Sequence, residues 1–330
     1  MIRHAVPSSR ADVSRANVIH LQVAALCMLA ACAPPMTSTA ASPLTATQLA
    51  ELWVEPTDLS SRDLFGGPGG ERAAPDVKAI YKVTALDTTG YSAGYDVVDP
   101  AGREWKVKLG NEVQPEIVAS RVLWAIGFHQ PPMFYVGSLR LDGGKPEDNG
   151  RVARLRVEDG YKTESYWSWN DNPYVGTQPF KGLLVANLIL NNWDLKASNN
   201  RIYLLAEGAP QPTRRYVVQD LGAALGRTRW PTGNRNDIDA FESQKLIDGV
   251  ANGIVDFDYH ARHRELFKDI TPADVVWACK LLARLSEGQW KDAFRAANYP
   301  EPLTQRFVAK LKAKIQEGLT LETRAAVTRL

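Results

Sequence analysis

A chain of 330 residues with 45% hydrophobic and 23% charged residues is long enough for one large domain or two lobes, and this composition excludes general disorder. The formal net charge is +2, and that excess resides in residues 1–31, where Arg3, Arg10 and Arg15 face Asp12 alone. The remainder is about neutral, which gives no electrostatic reason to expect a nucleic-acid partner.

Residues 1–31 read as a targeting segment. A basic start runs into VIHLQVAALCMLAA, which is short and interrupted by His20 and Gln22. It ends at Leu29-Ala30-Ala31-Cys32, a tetrapeptide that resembles the lipobox of bacterial lipoproteins. That resemblance implies cleavage before Cys32, lipidation of Cys32 and a place in the cell envelope, with the membrane touched only through the lipid; an ordinary secretory leader is the alternative. Residues 32–49 are Pro, Ser, Thr and Ala in the main and read as a flexible tether. With Cys27 in the leader and Cys32 carrying lipid, Cys279 is left as a lone thiol. It is expected in a helical core, because Val275, Ala278, Leu282 and Leu285 repeat around it at helical spacing.

Residues 50–158 read as a small β-rich lobe. KAIYKVTAL, YDVVD and REWKVKL are strand-like runs separated by the turns TTGYSAG and PAG. In REWKVKL the alternation puts Trp105, Val107 and Leu109 on one face, with Lys106 and Lys108 on the other. PEIVASRVLWAIG reads as a helix with Pro115 at its start and Gly127 as its stop. MFYVGSLRL and RVARLRV are two further strand candidates around the turn-rich DGGKPEDNG.

Residues 159–330 read as mainly helical. PFKGLLVANLILNNW is apolar almost all round and is expected to be buried on most faces. RIYLL and RYVVQD make a plausible hairpin, and Thr271 to Asp274 form an N-terminal helix cap. The amphipathic LTQRFVAKLKAKIQEGL is expected to turn its lysines to solvent. His260 and His263 have a spacing that suits a metal, but no third ligand is apparent, so a solvated or salt-bridged pair is the better reading. YWSWNDNPY, residues 166–174, could stack on a sugar or a base, but a cleft-covering loop or plain packing is the better reading.

The stretch that stands out is NNWDLKASNN, residues 191–200, which follows the buried helix with an aspartate, a lysine and four asparagines. Asp194-Leu195-Lys196-Ala197-Ser198-Asn199 resembles the D-L-K-x-x-N part of the protein-kinase catalytic loop, and Asp220-Leu221-Gly222 resembles a D-F-G variant. The chain thus resembles the protein-kinase-like superfamily in divergent form, over residues 80–225. The resemblance implies an α+β, bilobal protein-kinase-like fold, with a small β-rich N-lobe carrying one main helix and a larger, mainly helical C-lobe. It implies ATP or another nucleotide with Mg²⁺ or Mn²⁺ as cofactors, and a hydroxyl acceptor that the sequence does not identify. By the same resemblance Asp194 would orient the acceptor hydroxyl and Lys196 touch the transferring phosphate, while Asn199 and Asp220 would hold metal. Lys108 would bind phosphates and pair with Glu116; Lys106 and Glu112 remain as competitors for these two places. Gly90, Ser92 and Gly94 would form the loop over the phosphates.

The departures are plain. Asn192-Trp193 replaces the His-Arg before Asp194, no A-P-E follows Asp220, and the Gly-rich loop is incomplete. A kinase-shaped module that binds a ligand without turnover is the alternative reading.

Overall fold

The computed structural model describes residues 43–87, 92–231 and 233–327. The leader, Cys32, most of the tether and Gly90 lie outside the described residues. The fold is mixed α+β, a β-sheet lobe joined to a helical region, as the sequence leads one to expect.

The described residues begin with two short α-helices, α1 (Ala46–Ala50) and α2 (Gly70–Ala73). The lobe's strands are β1 (Tyr81–Asp87), β2 (Gly94–Val98), β3 (Glu104–Leu109), β4 (Met133–Val136), β5 (Leu141–Asp142) and β6 (Ala153–Val157). They form one sheet in the order β4-β6-β3-β2-β1-β5, antiparallel throughout except for the β1–β5 edge. Its two faces differ as the alternation of REWKVKL requires. Tyr95, Val97, Trp105, Val107, Leu109, Ala153 and Leu155 pack into a small apolar core on one side. On the other side the strand register sets Lys108 opposite Arg154 and Lys106 opposite Arg156.

Helix α3 (Val113–Ala125) follows β3. It begins two residues before Pro115, with Glu112 at the cap position, and ends where Gly127 turns the chain at φ +102°. A Cβ at Gly127 would lie 2.2 Å from the carbonyl oxygen of Val54, so this position requires glycine twice over. The apolar side chains of α3 join the large core of the helical region and not the small core of the sheet. The helix is therefore the part of the lobe welded to the rest of the protein.

Strand β7 (Tyr161–Tyr166) pairs with β8 (Asn200–Leu205), which pairs with β9 (Arg214–Val218). The hairpin expected from RIYLL and RYVVQD is present, and β7 extends it into a three-stranded sheet. Helix α4 (Gln178–Ile189) is buried along nearly its whole length. After α5 (Ile238–Glu242) and the hairpin β10 (Ile247–Ala251) and β11 (Ile254–Phe257) come α6 (Pro272–Ala283), α7 (Glu287–Ala296) and α8 (Glu301–Val327). Thr271 and Asp274 form the capping box expected of α6, and Cys279 is fully buried, its thiol pushed up to about 12 by burial. Among the described residues no helix is long and apolar enough to cross a membrane.

One sequence reading needs correction here, and one open choice is decided. Not every lysine of α8 faces solvent: Lys314 is buried, bonds Asn191 Oδ1, and burial lowers its ammonium to about 7. The aromatic run 166–174 is mostly packing, since Trp167, Trp169, Tyr174, Phe180 and Tyr216 make edge and tilted contacts with one another. Of its aromatic residues only Tyr166 is strongly exposed.

Helices α4 and α6 meet at Gly182, where a Cβ would fall 2.1 Å from the Trp277 ring. Gly182→Ala is expected to push that ring away and lower stability by about 1–3 kcal/mol, as overpacking does. Denaturant unfolding of the two proteins checks this.

Candidate functional site

Glutamate, aspartate and lysine are seldom buried unless paired, and the seam between the sheet and the helical region buries several together. Lys108, on the charged face of β3, lies 3.0 Å from Glu116 Oε2 and 3.4 Å from Glu112 Oε2, and it bonds Asp220 Oδ1 directly. Glu116 is shared: its other oxygen lies 3.2 Å from Arg154 Nη2 on β6. Glu112 in turn pairs with Arg235 and accepts a 2.8 Å bond from the Ser92 hydroxyl.

The electrostatics follow from this crowding. Burial alone would lower the Lys108 ammonium, but the carboxylates of Glu116 and Asp220 hold it above its ordinary value. Burial would likewise raise Glu116, and Arg154 and Lys108 more than reverse it. Asp220 is also depressed; burial would raise it, and Lys108 brings it down. Lys108, Glu116 and Asp220 are therefore all charged at neutral pH.

Asp220 follows β9 with its backbone in the left-handed region, at φ +56°. Non-glycine residues there are uncommon, though aspartate tolerates the conformation better than most. The β8–β9 register sets Asn200 against Val218, and the Gln219 N–H donates to the carbonyl of Asn199 at 3.1 Å. Asn199 and Asp220 thus come to the same end of the hairpin. Asn199 Nδ2 donates to the Asp194 carbonyl at 3.0 Å, which leaves its side-chain oxygen to accept. A carboxylate beside an amide oxygen is a donor set that suits a hard divalent cation.

A cavity of about 440 Å³ opens against this cluster. Ser92, Gly94, Lys106, Lys108, Glu116, Arg154, Arg156, Asn199, Arg201 and Asp220 are among its lining residues, so six of the predicted site residues meet in one place. Gly94 sits opposite Lys108 on β2, where a Cβ would approach the Val107 carbonyl to 2.8 Å. Its missing side chain keeps the space over Lys108 open. Asp194 and Lys196 pair with each other at 2.9 Å and do not line the cavity, although Asn199 ties Asp194 to its edge.

Between the competing lysines the geometry is clear: Lys106 pairs with Asp96 at 2.9 Å and Asp87 at 3.7 Å, away from Glu116. Glu112 is not displaced by Glu116; both lie within ion-pair distance of Lys108. The asparagines of 191–200 divide. Asn199 faces the cavity, whereas Asn191, Asn192 and Asn200 are buried and bond Gly226, Asn187 and Trp167 respectively. Most of that polarity is therefore bracing, not cleft lining.

Sequence reading missed Arg154 and Arg156. Their signal is the alternation of RVARLRV, which matches that of REWKVKL once the two strands are paired. His260 and His263 each pair with a carboxylate, His260 with Asp258 at 2.9 Å and His263 with Glu265 at 3.2 Å.

The chain matches no family model and no curated protein. Among solved structures it is similar to the Helicobacter pylori proinflammatory kinase CtkA, at 12% identity and a TM-score of 0.48, over 75% of this chain and 97% of that one. It is also similar to the MAP kinase LmaMPK10 from Leishmania major, at 14% identity and a TM-score of 0.21, over 73% and 95% of the two chains.

A carboxylate with a depressed folded-state pKa adds stability at pH above its unfolded value and loses it as pH falls through the folded one. Glu116→Gln should therefore cost about 3–5 kcal/mol near neutral pH, as breaking a buried ion pair does. The gap to the parent should close as pH drops below the ordinary value of 4.5. Urea unfolding of both proteins from pH 7 to pH 3 checks the size and the direction.

Proposed function

We propose that the protein is an atypical kinase-like phosphotransferase, which moves a phosphoryl group from a metal-bound triphosphate, with ATP as the donor implied by the sequence resemblance, to a hydroxyl acceptor. The observation that carries the reading is the junction of Lys108, Glu116 and Asp220, drawn from a strand, a helix and a hairpin end far apart in sequence. A lysine oriented by a helix glutamate and facing an aspartate in a cavity is an arrangement suited to holding phosphates.

In this reading residues 50–158 form the nucleotide-binding lobe and residues 159–330 the catalytic lobe, tethered at the cell envelope through Cys32. Asp220 and Asn199 hold Mg²⁺ or Mn²⁺, which would neutralise the phosphate charge. Lys108 grips the phosphates and Glu116 fixes the direction of its side chain. Ser92 and Gly94 border the phosphate space, with Gly90 assigned to the same loop from sequence alone. Asp194 orients the acceptor hydroxyl and takes its proton, and Lys196 steadies the transferring group. That Asp194 and Lys196 stand paired outside the cavity favours one competing reading, a silent pseudokinase-like binding module that holds the ligand without turnover.

Asp220→Ala should abolish metal-dependent binding of ATP, read as loss of the rise in melting temperature that ATP and Mn²⁺ produce together. Asp194→Ala should keep that rise and stop transfer. Parent-like behaviour of both variants would overturn the site assignment. A parent that binds but never transfers to any hydroxyl acceptor would leave the binding module.

A further inference from the structure

The cavity is charged over its whole length and not only at the metal end. Lys108 and Arg154 form one directly opposed cross-strand pair, and Lys106 and Arg156 form the next. Like charges set opposite each other on one sheet face work against the fold; here Asp96 pairs with Lys106, Glu158 pairs with Arg156 at 2.8 Å, and Glu116 is shared between Lys108 and Arg154. Arg154 and Arg156 are more than nine-tenths buried, and Arg154 Nε has no hydrogen-bond partner. Arg201 of β8 adds a fifth cation to the lining; its guanidinium rests over the Tyr166 ring at 3.9 Å, donates to the Ser198 and Asn200 carbonyls, and among the described residues has no carboxylate partner.

A purine needs flat apolar walls, and the described lining scarcely provides them. Among the described residues only Val107 and Tyr166 bring an aliphatic or aromatic side chain to the lining. The Val107 side chain belongs to the core on the opposite face of the sheet, and one face of Tyr166 is taken by Arg201. The lining sets five cations against the four carboxylates Asp87, Glu112, Glu116 and Asp220, so a divalent cation held at Asp220 would leave the wall with an excess of positive charge that matches a ligand carrying negative charge along its length.

Building on the phosphotransfer reading, we propose that the cavity recognises its donor as a chain of phosphates running from Asp220 and Lys108 toward Arg156 and Arg201, so that inorganic polyphosphate of three or more units is the donor class it fits. In the transfer the acceptor oxygen bonds to the terminal phosphorus and the bridging P–O bond breaks. The shortened chain leaves with that bond's electron pair, and the hydroxyl proton passes to Asp194. No oxidant, reductant or further reactant is needed.

The test is thermal unfolding and titration of the purified protein with Mn²⁺ and, in turn, pyrophosphate, tripolyphosphate, ATP and adenosine. Affinity should rise from pyrophosphate to tripolyphosphate, ATP should bind no tighter than tripolyphosphate, and adenosine should not compete. Arg201→Gln, a partly exposed position, should weaken tripolyphosphate by roughly tenfold or more, the scale of one charge-assisted hydrogen bond. Lys106→Met should act in the same direction and guards against one variant failing to fold. Tight ATP binding that adenosine displaces, with tripolyphosphate inert, would overturn the proposal while leaving the phosphotransfer reading in place. Unchanged tripolyphosphate affinity in both variants would also overturn it. If no phosphate compound binds with metal, both readings fall together.

Discussion

A buried charge survives only where opposite charge and hydrogen bonds replace the water it loses, and this requirement governs the seam of the molecule. Lys108 meets it with carboxylates from three places: Glu112 just before α3, Glu116 within α3 and Asp220 after β9. Glu116 meets it with two cations from neighbouring strands, Lys108 and Arg154. None of these groups is compensated by its own element. The sheet, the helix and the hairpin must therefore hold their mutual register for any one of them to remain ionised at low cost.

The apolar architecture maintains that register. The outward face of the six-stranded sheet has its own small core, which leaves the inward face free to carry charge. Helix α3 lies across the boundary, its side chains packed into the large core while Glu116 points back to β3. On the other side, the loop before Asp194 is fixed from below. Lys314 of α8 bonds Asn191, whose amide nitrogen donates to the Gly226 carbonyl at 2.7 Å and is 3.2 Å from Gln244 Oε1. The two sides of the cavity thus rest largely on separate cores, and α3, Met133 of β4 and the ion pairs are among the features that join them.

Much of this was legible in the sequence because it depends on local periodicity. The alternation in REWKVKL separated Lys106 and Lys108 from the apolar face, and the uniform apolarity of PFKGLLVANLIL identified α4 as buried. The strand pair RIYLL and RYVVQD gave the juxtaposition of Asn199 with Asp220. What escaped depends on contacts distant in sequence. Nothing local in RVARLRV says that Arg154 will oppose Lys108, because strand order is set by which faces must be buried. Lys314 looked solvated because a lysine is ordinarily expected in water; it stands in the buried stripe of Phe307, Leu311 and Leu321, and Asn191, 123 positions earlier, supplies its partner. The asparagines of 191–200 misled in the opposite sense, since composition alone does not separate an amide that braces a loop from one that faces a cavity.

The same charge balance fixes how ligands would have to enter under the proposed function. Asp220 is the only group in the junction that is both bonded to Lys108 and substantially exposed, with 38% of its side chain open to solvent. A cation arriving at Asp220 and Asn199 would draw the carboxylate away from Lys108 and leave an ammonium that Glu116 must share with Arg154. An anion is then the cheapest way to restore neutrality, and the cations on the facing strand add to the same pull. Conversely, a phosphate that engages Lys108 releases Asp220 to accept a cation. Metal and phosphate should accordingly bind with positive coupling, each raising the affinity of the other by the same factor, as linkage between two sites on one equilibrium demands.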